Sequence, residues 1–155
     1  MKKFFNNLPL RSGVGIVLLN KKNKVFVAKR IDNPKNFWQM PQGGVDKNES
    51  FLQAAKRELN EETGVKNTKL IKRINGWHTY DLPKNLLGKV WKGKFRGQKQ
   101  KWFIMRFQGD DREINIKTKN PEFLDWKWIN PYDLPRVAVH FKTDIYKKLL
   151  LEINF

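Results

Sequence analysis

Three glutamates spaced as i, i+3 and i+4, between a glycine-bearing loop and a glycine stop, constrain this chain more than any other feature. The run Pro41-Gln42-Gly43-Gly44-Val45-Asp46-Lys47-Asn48 is rich in residues that tolerate unusual dihedrals and reads as a loop. Ser50 after it is a good helix N-cap, with Gln53 three residues on as a capping-box partner. Gly64 is placed to end the helix in the left-handed conformation. At about 100° per residue, Leu52, Ala55 and Leu59 share a face that should pack on a sheet. Gln53, Lys56 and Asn60 face water, while Glu58, Glu61 and Glu62 form a third face beside the small Ala54. Like charges at these spacings repel, so the acidic face destabilises the isolated helix and calls for a cation. Glu49 adds a fourth carboxylate just before the helix. With oxygen ligands on a rigid element, no cysteine and two histidines in the whole chain, Mg²⁺ or Mn²⁺ is favoured over Zn²⁺.

The rest of the chain supplies a frame for that helix. Val14 to Leu19 and Val25 to Arg30 read as a hairpin across the polar 20–24 segment. Phe37 to Met40 reads as a short extended piece stopped by Pro41. Further strands are expected at Leu70 to Ile74, Trp102 to Phe107 and Leu124 to Ile129, and a last helix from Lys142 to about Glu152. Leu82 to Gln100, with its glycines, its one proline and its lysines, reads as a mobile loop. Strands and helices in this order predict an α+β protein, a mixed sheet with helices packed against it. At 155 residues the chain suits a single domain, expected over 10–155 after an N-terminal extension of residues 1–9. No apolar run reaches the roughly 20 residues of a membrane span, and the start lacks a signal-peptide core, so a cytoplasmic location is the expectation. The formal charge of +17 suits a polyanionic partner, although lysine bias in an AT-rich genome would give the same number.

Gly43, Glu49, Arg57, Glu58, Leu59, Glu61, Glu62, Gly64 and Val65 together follow the pattern Gly-x5-Glu-x7-Arg-Glu-apolar-x-Glu-Glu-x-Gly-apolar without a departure. This run resembles the Nudix box, and nine restricted positions at fixed spacing make the likeness specific. The resemblance implies a Nudix fold, a mixed β-sheet sandwiched between α-helices (α/β/α), and hydrolysis of a nucleoside diphosphate linked to another moiety. It implies a site for divalent cations at Gly43, Glu58, Glu61, Glu62 and a carboxylate from a later loop. Arg57 would orient the glutamates by charge-assisted hydrogen bonds. Phosphoanhydride hydrolysis needs neutralised phosphoryl oxygens, an activated water and a carboxylate base, which fits such a constellation.

Other stretches narrow the likeness. Arg11-Ser12-Gly13-Val14-Gly15, Trp38-Gln39-Met40-Pro41-Gln42-Gly43-Gly44, Gly97-Gln98-Lys99-Gln100-Lys101-Trp102-Phe103, Pro121-Glu122-Phe123 and Phe141-Lys142 are similar to bacterial RNA pyrophosphohydrolases, also described as dinucleoside polyphosphate hydrolases. That likeness runs from about residue 10 to 150. It implies removal of pyrophosphate from the 5′ end of tri- or diphosphorylated single-stranded RNA, the first step of messenger decay. Arg11, Arg30 and Lys142 then match basic positions near the 5′-phosphates or first nucleotides, with Gln42, Gly43 and Gly44 on the substrate path. Phe141 matches an aromatic that stacks on a base, and Glu122 the later carboxylate that joins the metals. Trp102 and Phe103 read as strand core, and His78 and His140 lack partners at metal spacing. Two alternatives remain open: asymmetric hydrolysis of diadenosine tetra- or pentaphosphate, and a non-catalytic RNA-binding module. A pure binder gains nothing from a repulsive acidic face.

Overall fold

From Gly13 to Leu19 every residue of strand β1 (Leu10–Leu19) is buried, so this strand must be central and covered on both faces. The computed structural model, which describes residues 7–32 and 35–153, places it so. Residues 1–6 of the expected extension lie outside the described residues.

β1 runs parallel to β6 (Gly97–Phe107), from Leu10 opposite Gly97 to Leu19 opposite Arg106. Its other edge is shared by β3 (Gln42–Gly44), with Gly13 opposite Gly44, and by β2 (Val25–Arg30), with Leu19 opposite Val25. β4 (Thr68–Arg73) and β7 (Phe123–Ile129) complete the order β4-β6-β1-β2-β7, and β5 (His78–Asp81) pairs with β6. One parallel pair among antiparallel ones makes the sheet mixed, as expected.

The two-residue period of β6 divides the core. Trp102 and Ile104 enter one cluster with Met40, Leu134, Tyr146 and Leu149; Phe103, Met105 and Phe107 enter another with Phe26, Ala54, Ala55 and Leu59. Helix α1 (Phe51–Thr63) thus covers one face and helix α2 (Thr143–Glu152) the other, giving the α/β/α sandwich. The Tyr146 hydroxyl accepts the Met40 N–H at 2.8 Å, which fastens α2 to the segment leading into β3.

α1 begins and ends where its caps require. Gln53 N–H donates to Ser50 Oγ at 3.1 Å and Ser50 N–H to Gln53 Oε1 at 2.8 Å, while Gly64 sits at φ 77° and donates to the Asn60 carbonyl at 2.8 Å. Ala55 and Leu59 are buried as expected, and Ala54 joins them.

Elsewhere the structure corrects the sequence reading. Gln42–Gly44 is a short strand rather than loop, because β2 leaves the first half of β1 unpaired and β3 takes that edge. His78–Asp81 is an unforeseen strand. The supposed mobile loop over Leu82 to Gln100 ends in β6, and its Leu82, Leu86, Leu87, Val90 and Trp91 pack on the core. Phe37 to Met40 makes one isolated bridge, Gln39 opposite Ala28. The last helix starts at Thr143, after a 3₁₀ turn His140–Lys142. Among the described residues no helix is long and apolar enough to cross a membrane.

Candidate active site

A cavity of about 1020 Å³ opens where β3, the exposed face of α1, the turn before β7 and the residues ahead of α2 converge. Glu58, Glu62 and Glu122 line it together with Arg11, Arg30, Tyr80, Trp91, Phe141 and Lys142, and Arg30 and Lys142 lie close enough to Glu62 to feel its charge. Gln42, Gly43 and Gly44 also lie on its wall.

Around the carboxylates burial and like charge act together. Glu62 is 5% exposed, and its Oε2 has no hydrogen-bond partner. Burial first, then Glu122 and Glu58, hold its carboxyl well above the usual carboxylate range. Burial also raises Glu58, against the pull of Arg57. Backbone close approach is built in: a Cβ on Gly43 would collide with the Glu58 carboxyl carbon. Glu61 diverges from its neighbours, with a 58% exposed side chain turned to Arg57 and away from the cavity wall.

Arg57 ties the loop to the helix. Its Nε and Nη2 donate to Glu49 at 2.7 and 2.9 Å, and Nη2 also donates to the Gly44 carbonyl at 3.0 Å. Nη1 donates to Glu58 at 2.9 Å and to Glu61 at 3.2 Å. The guanidinium holds the Glu49 carboxyl down at about 2. With Glu58 and Glu61 drawn to Arg57, no three acidic or histidine side chains among the described residues stand gathered for an ion. The donor set still fits a hard divalent cation. Glu62 offers an orphaned buried oxygen, Glu58 and Glu122 face it electrostatically, and Gly43 leaves the space.

Elsewhere on the wall cations rest on aromatic rings. Arg11 Cζ lies 5.3 Å from the Trp91 ring centroid, with its Nη2 against Gly44. Lys142 is buried, its Nζ 5.4 Å from the Tyr80 centroid and 5.9 Å from that of Phe141. Burial, with Arg30 adding to it, lowers the Lys142 amine to about 7. Phe141 is half-buried: it packs against the core and stands 5.5 Å from Tyr80 while lining the cavity. Arg30 is held by a two-pronged bond to Asp32, both contacts 2.7 Å, and it faces Glu122 and Glu62.

Asp32, Tyr80 and Trp91 were not foreseen in the sequence. Asp32, two residues beyond Arg30, was the most legible of these, as an acid adjacent to a candidate phosphate-binding cation. Trp91 gave no usable signal, because its backbone is folded back in the left-handed region, φ 51°, inside the segment that reads as loop.

Known proteins resemble this chain in sequence and in fold. The model of the NUDIX domain matches residues 9–149. An RNA pyrophosphohydrolase of Pelagibacter ubique (strain HTCC1062) is 68% identical over 141 residues, 91% of this chain and 89% of that protein. One from Rhodospirillum rubrum is 47% identical over 146 residues, 94% of this chain and 88% of that one. Among solved structures, E. coli dihydroneopterin triphosphate pyrophosphohydrolase superposes with TM-score 0.70 at 19% identity, covering 95% of this chain and 100% of its own. A C. elegans Ap4A hydrolase binary complex gives 0.63 at 19% identity, with 90% and 96% covered. The last two likenesses speak to the fold alone.

Proposed function

The chain belongs to the NUDIX family and is a pyrophosphohydrolase, and we propose that it acts on the 5′ polyphosphate end of single-stranded RNA, leaving a monophosphate. The observation that carries this reading is one cavity lined both by carboxylates and by cations stacked on aromatic rings. The relatives named RNA pyrophosphohydrolase, similar over nine-tenths of the chain, support the same substrate.

The family works with divalent cations, and Mg²⁺, with Mn²⁺ able to substitute, is the ion proposed here. Glu58, Glu61, Glu62 and Glu122, with the Gly43 backbone, would hold it. When bound, the ions neutralise phosphoryl oxygens and acidify water. To hold it, Glu58 and Glu61 would have to leave Arg57, while the Arg57 bonds to Glu49 and Gly44 tie the β3 loop to the helix. One of the four carboxylates takes the proton of the attacking water. Arg11, Arg30 and Lys142 bind the phosphates: a polyphosphate beside the buried Lys142 restores the charge that burial suppresses. Phe141 offers a face to the first bases. The reaction would take place in the cytoplasm and open the decay of messenger RNA.

A second reading, asymmetric hydrolysis of dinucleoside polyphosphates, draws on the aromatic lining of the cavity, where Tyr80, Trp91 and Phe141 could receive a second nucleoside. The two are separated by the role of an unpaired 5′ end. Bases stacked in a duplex cannot reach Phe141, so RNA with a few unpaired 5′ nucleotides should be converted much faster than a blunt end. Phe141→Ala should lower the preference for RNA over a mononucleotide roughly ten-fold, the worth of one stacked base. Equal rates on unpaired and blunt ends, unchanged by the substitution, would remove the stacking role.

A further inference from the structure

The 97–102 segment of β6 lies behind Gln42 and Tyr80 of the cavity wall, and strand alternation sends its side chains two ways. Lys99 and Lys101 leave on one face, their Nζ atoms 4.7 and 4.5 Å from the Trp77 ring centroid. Gln98, Gln100 and Trp102 take the other face, and each is at most 1% exposed. Buried amides are costly unless paired, and these form a directed chain that leaves Gln98 Nε2 alone without a partner. Trp102 Nε1 donates to Gln100 Oε1 at 3.0 Å. Gln100 Nε2 donates to Gln98 Oε1 at 2.9 Å and to Gln42 Oε1 at 3.1 Å. The Tyr80 hydroxyl donates to Gln98 Oε1 at 3.1 Å.

An isolated glutamine amide turns over at little cost, so its orientation means nothing by itself. Here it is fixed. An indole N–H donates and never accepts, so the Gln100 atom facing Trp102 must be the oxygen. The nitrogen of that amide then faces Gln42 and Gln98, and the atoms receiving its two hydrogens must be oxygens. Gln42, on the cavity wall, is left with its NH₂ group turned away from Gln100. Tyr80 agrees with this polarity. Burial raises its hydroxyl to about 12 and Gln42 acts against that rise, the sign of an N–H given to the phenol oxygen. Gln42 itself lines the cavity.

We infer that Trp102, which does not line the cavity, is a positioning residue: its indole N–H, acting through Gln100, makes Gln42 a one-way hydrogen-bond donor that selects acceptor atoms such as the oxygens of a polyphosphate. The inference rests on the reading of this cavity as a polyphosphate site. It gives the Gly-Gln-Lys-Gln-Lys-Trp stretch a task on its buried face, which composition alone marks only as polar.

Three substitutions test it. Trp102→Phe keeps an aromatic ring without the N–H, and Gln100→Met keeps length without polar atoms. Gln100→Glu accepts and cannot donate, so it forces Gln42 to turn its oxygen to the cavity. With 5′-triphosphorylated RNA, KM should rise about 3- to 10-fold in the first two and more than about 10-fold in Gln100→Glu, as one hydrogen bond to a charged group is lost or reversed. kcat should stay within about twofold, a split that simple core damage would not give. Side-chain amide NMR supplies a second readout: the Gln42 NH₂ signal should move when inorganic pyrophosphate is added to the wild type and stay still in Gln100→Glu. If Trp102→Phe fails to fold, Gln100→Met decides the kinetic arm. An unaltered KM in a folded variant, or a Gln42 signal indifferent to pyrophosphate in the wild type, overturns the relay. A wild type that binds pyrophosphate through Gln42 and leaves RNA intact keeps the relay and removes the RNA reading.

Discussion

Glu62→Gln is expected to cut turnover by on the order of 10²-fold or more, because it keeps the side-chain shape and removes one ligand charge from the metal position. The same change should leave the fold intact and make the metal-free protein firmer at neutral pH. Glu62 is 5% exposed with an orphaned oxygen, and burial, Glu122 and Glu58 all favour its protonated form. In the folded chain it therefore keeps a proton that the unfolded chain releases from about its ordinary 4.5 upward. The folded state binds more protons across that window, so this group's contribution to stability falls as pH rises, until the raised folded value is reached. Lys142, lowered to about 7, acts with opposite sign only above that pH, and His78, lowered by burial, opposes it nearer 6.5. His78 does not face Glu62 and cancels in the difference; Lys142 is held up by the Glu62 charge and does not cancel above about pH 7, so the comparison is read below that pH. Melting curves in chelator should diverge above about pH 4.5 with the variant the more stable, and Mg²⁺ should close the gap by stabilising the wild type alone. Parallel curves in chelator, or turnover near wild type, would show that Glu62 does not carry the buried charge at the metal position.

Adjacent glycines should separate the roles of Glu58 and Arg11. Neither Gly43 nor Gly44 has a positive φ, so alanine is tolerated by the backbone at both, and the effect of substitution is one of space. A methyl on Gly43 strikes the Glu58 carboxyl; one on Gly44 strikes the Arg11 guanidinium. Successive strand residues point to opposite faces, which is why neighbours reach such different partners. Gly43→Ala should lower kcat by about 10²-fold, the scale of a 1 Å misplacement at a reacting centre. Gly44→Ala should chiefly raise KM, because it displaces a cation of the phosphate path. Steady-state kinetics on each variant would measure the split, and a Gly43→Ala enzyme with unaltered kcat would break the link between the loop and Glu58.

The helix was legible in the sequence because its determinants are local. Ser50, Gln53 and Gly64 fix its ends, and Ala55 and Leu59 fix its inward face. The acidic face was legible as a pattern, but the departure of Glu61 toward Arg57 depends on where a guanidinium five bonds long comes to rest. β5 and the start of β6 were missed for a different reason. His78–Asp81 has no apolar run, and Gly97 to Gln100 buries glutamines, residues whose burial depends on partners distant in sequence. Gln42 lies 58 positions from Gln100, and Tyr80 lies 18 from Gln98. A period of two was nevertheless present in Gln98, Gln100 and Trp102 against Lys99 and Lys101, and it was the available signal for a strand with one polar buried face.

The most direct test of the account is product analysis on 5′-end-labelled triphosphorylated RNA with an unpaired start, run beside diadenosine tetraphosphate with matched enzyme and Mg²⁺. The label sits in the released phosphates, so thin-layer separation reads the bond that is cut. The account predicts monophosphate RNA with pyrophosphate, or phosphate in two steps, and no conversion in chelator or by Glu62→Gln. Intact RNA beside fully hydrolysed dinucleotide would contradict it.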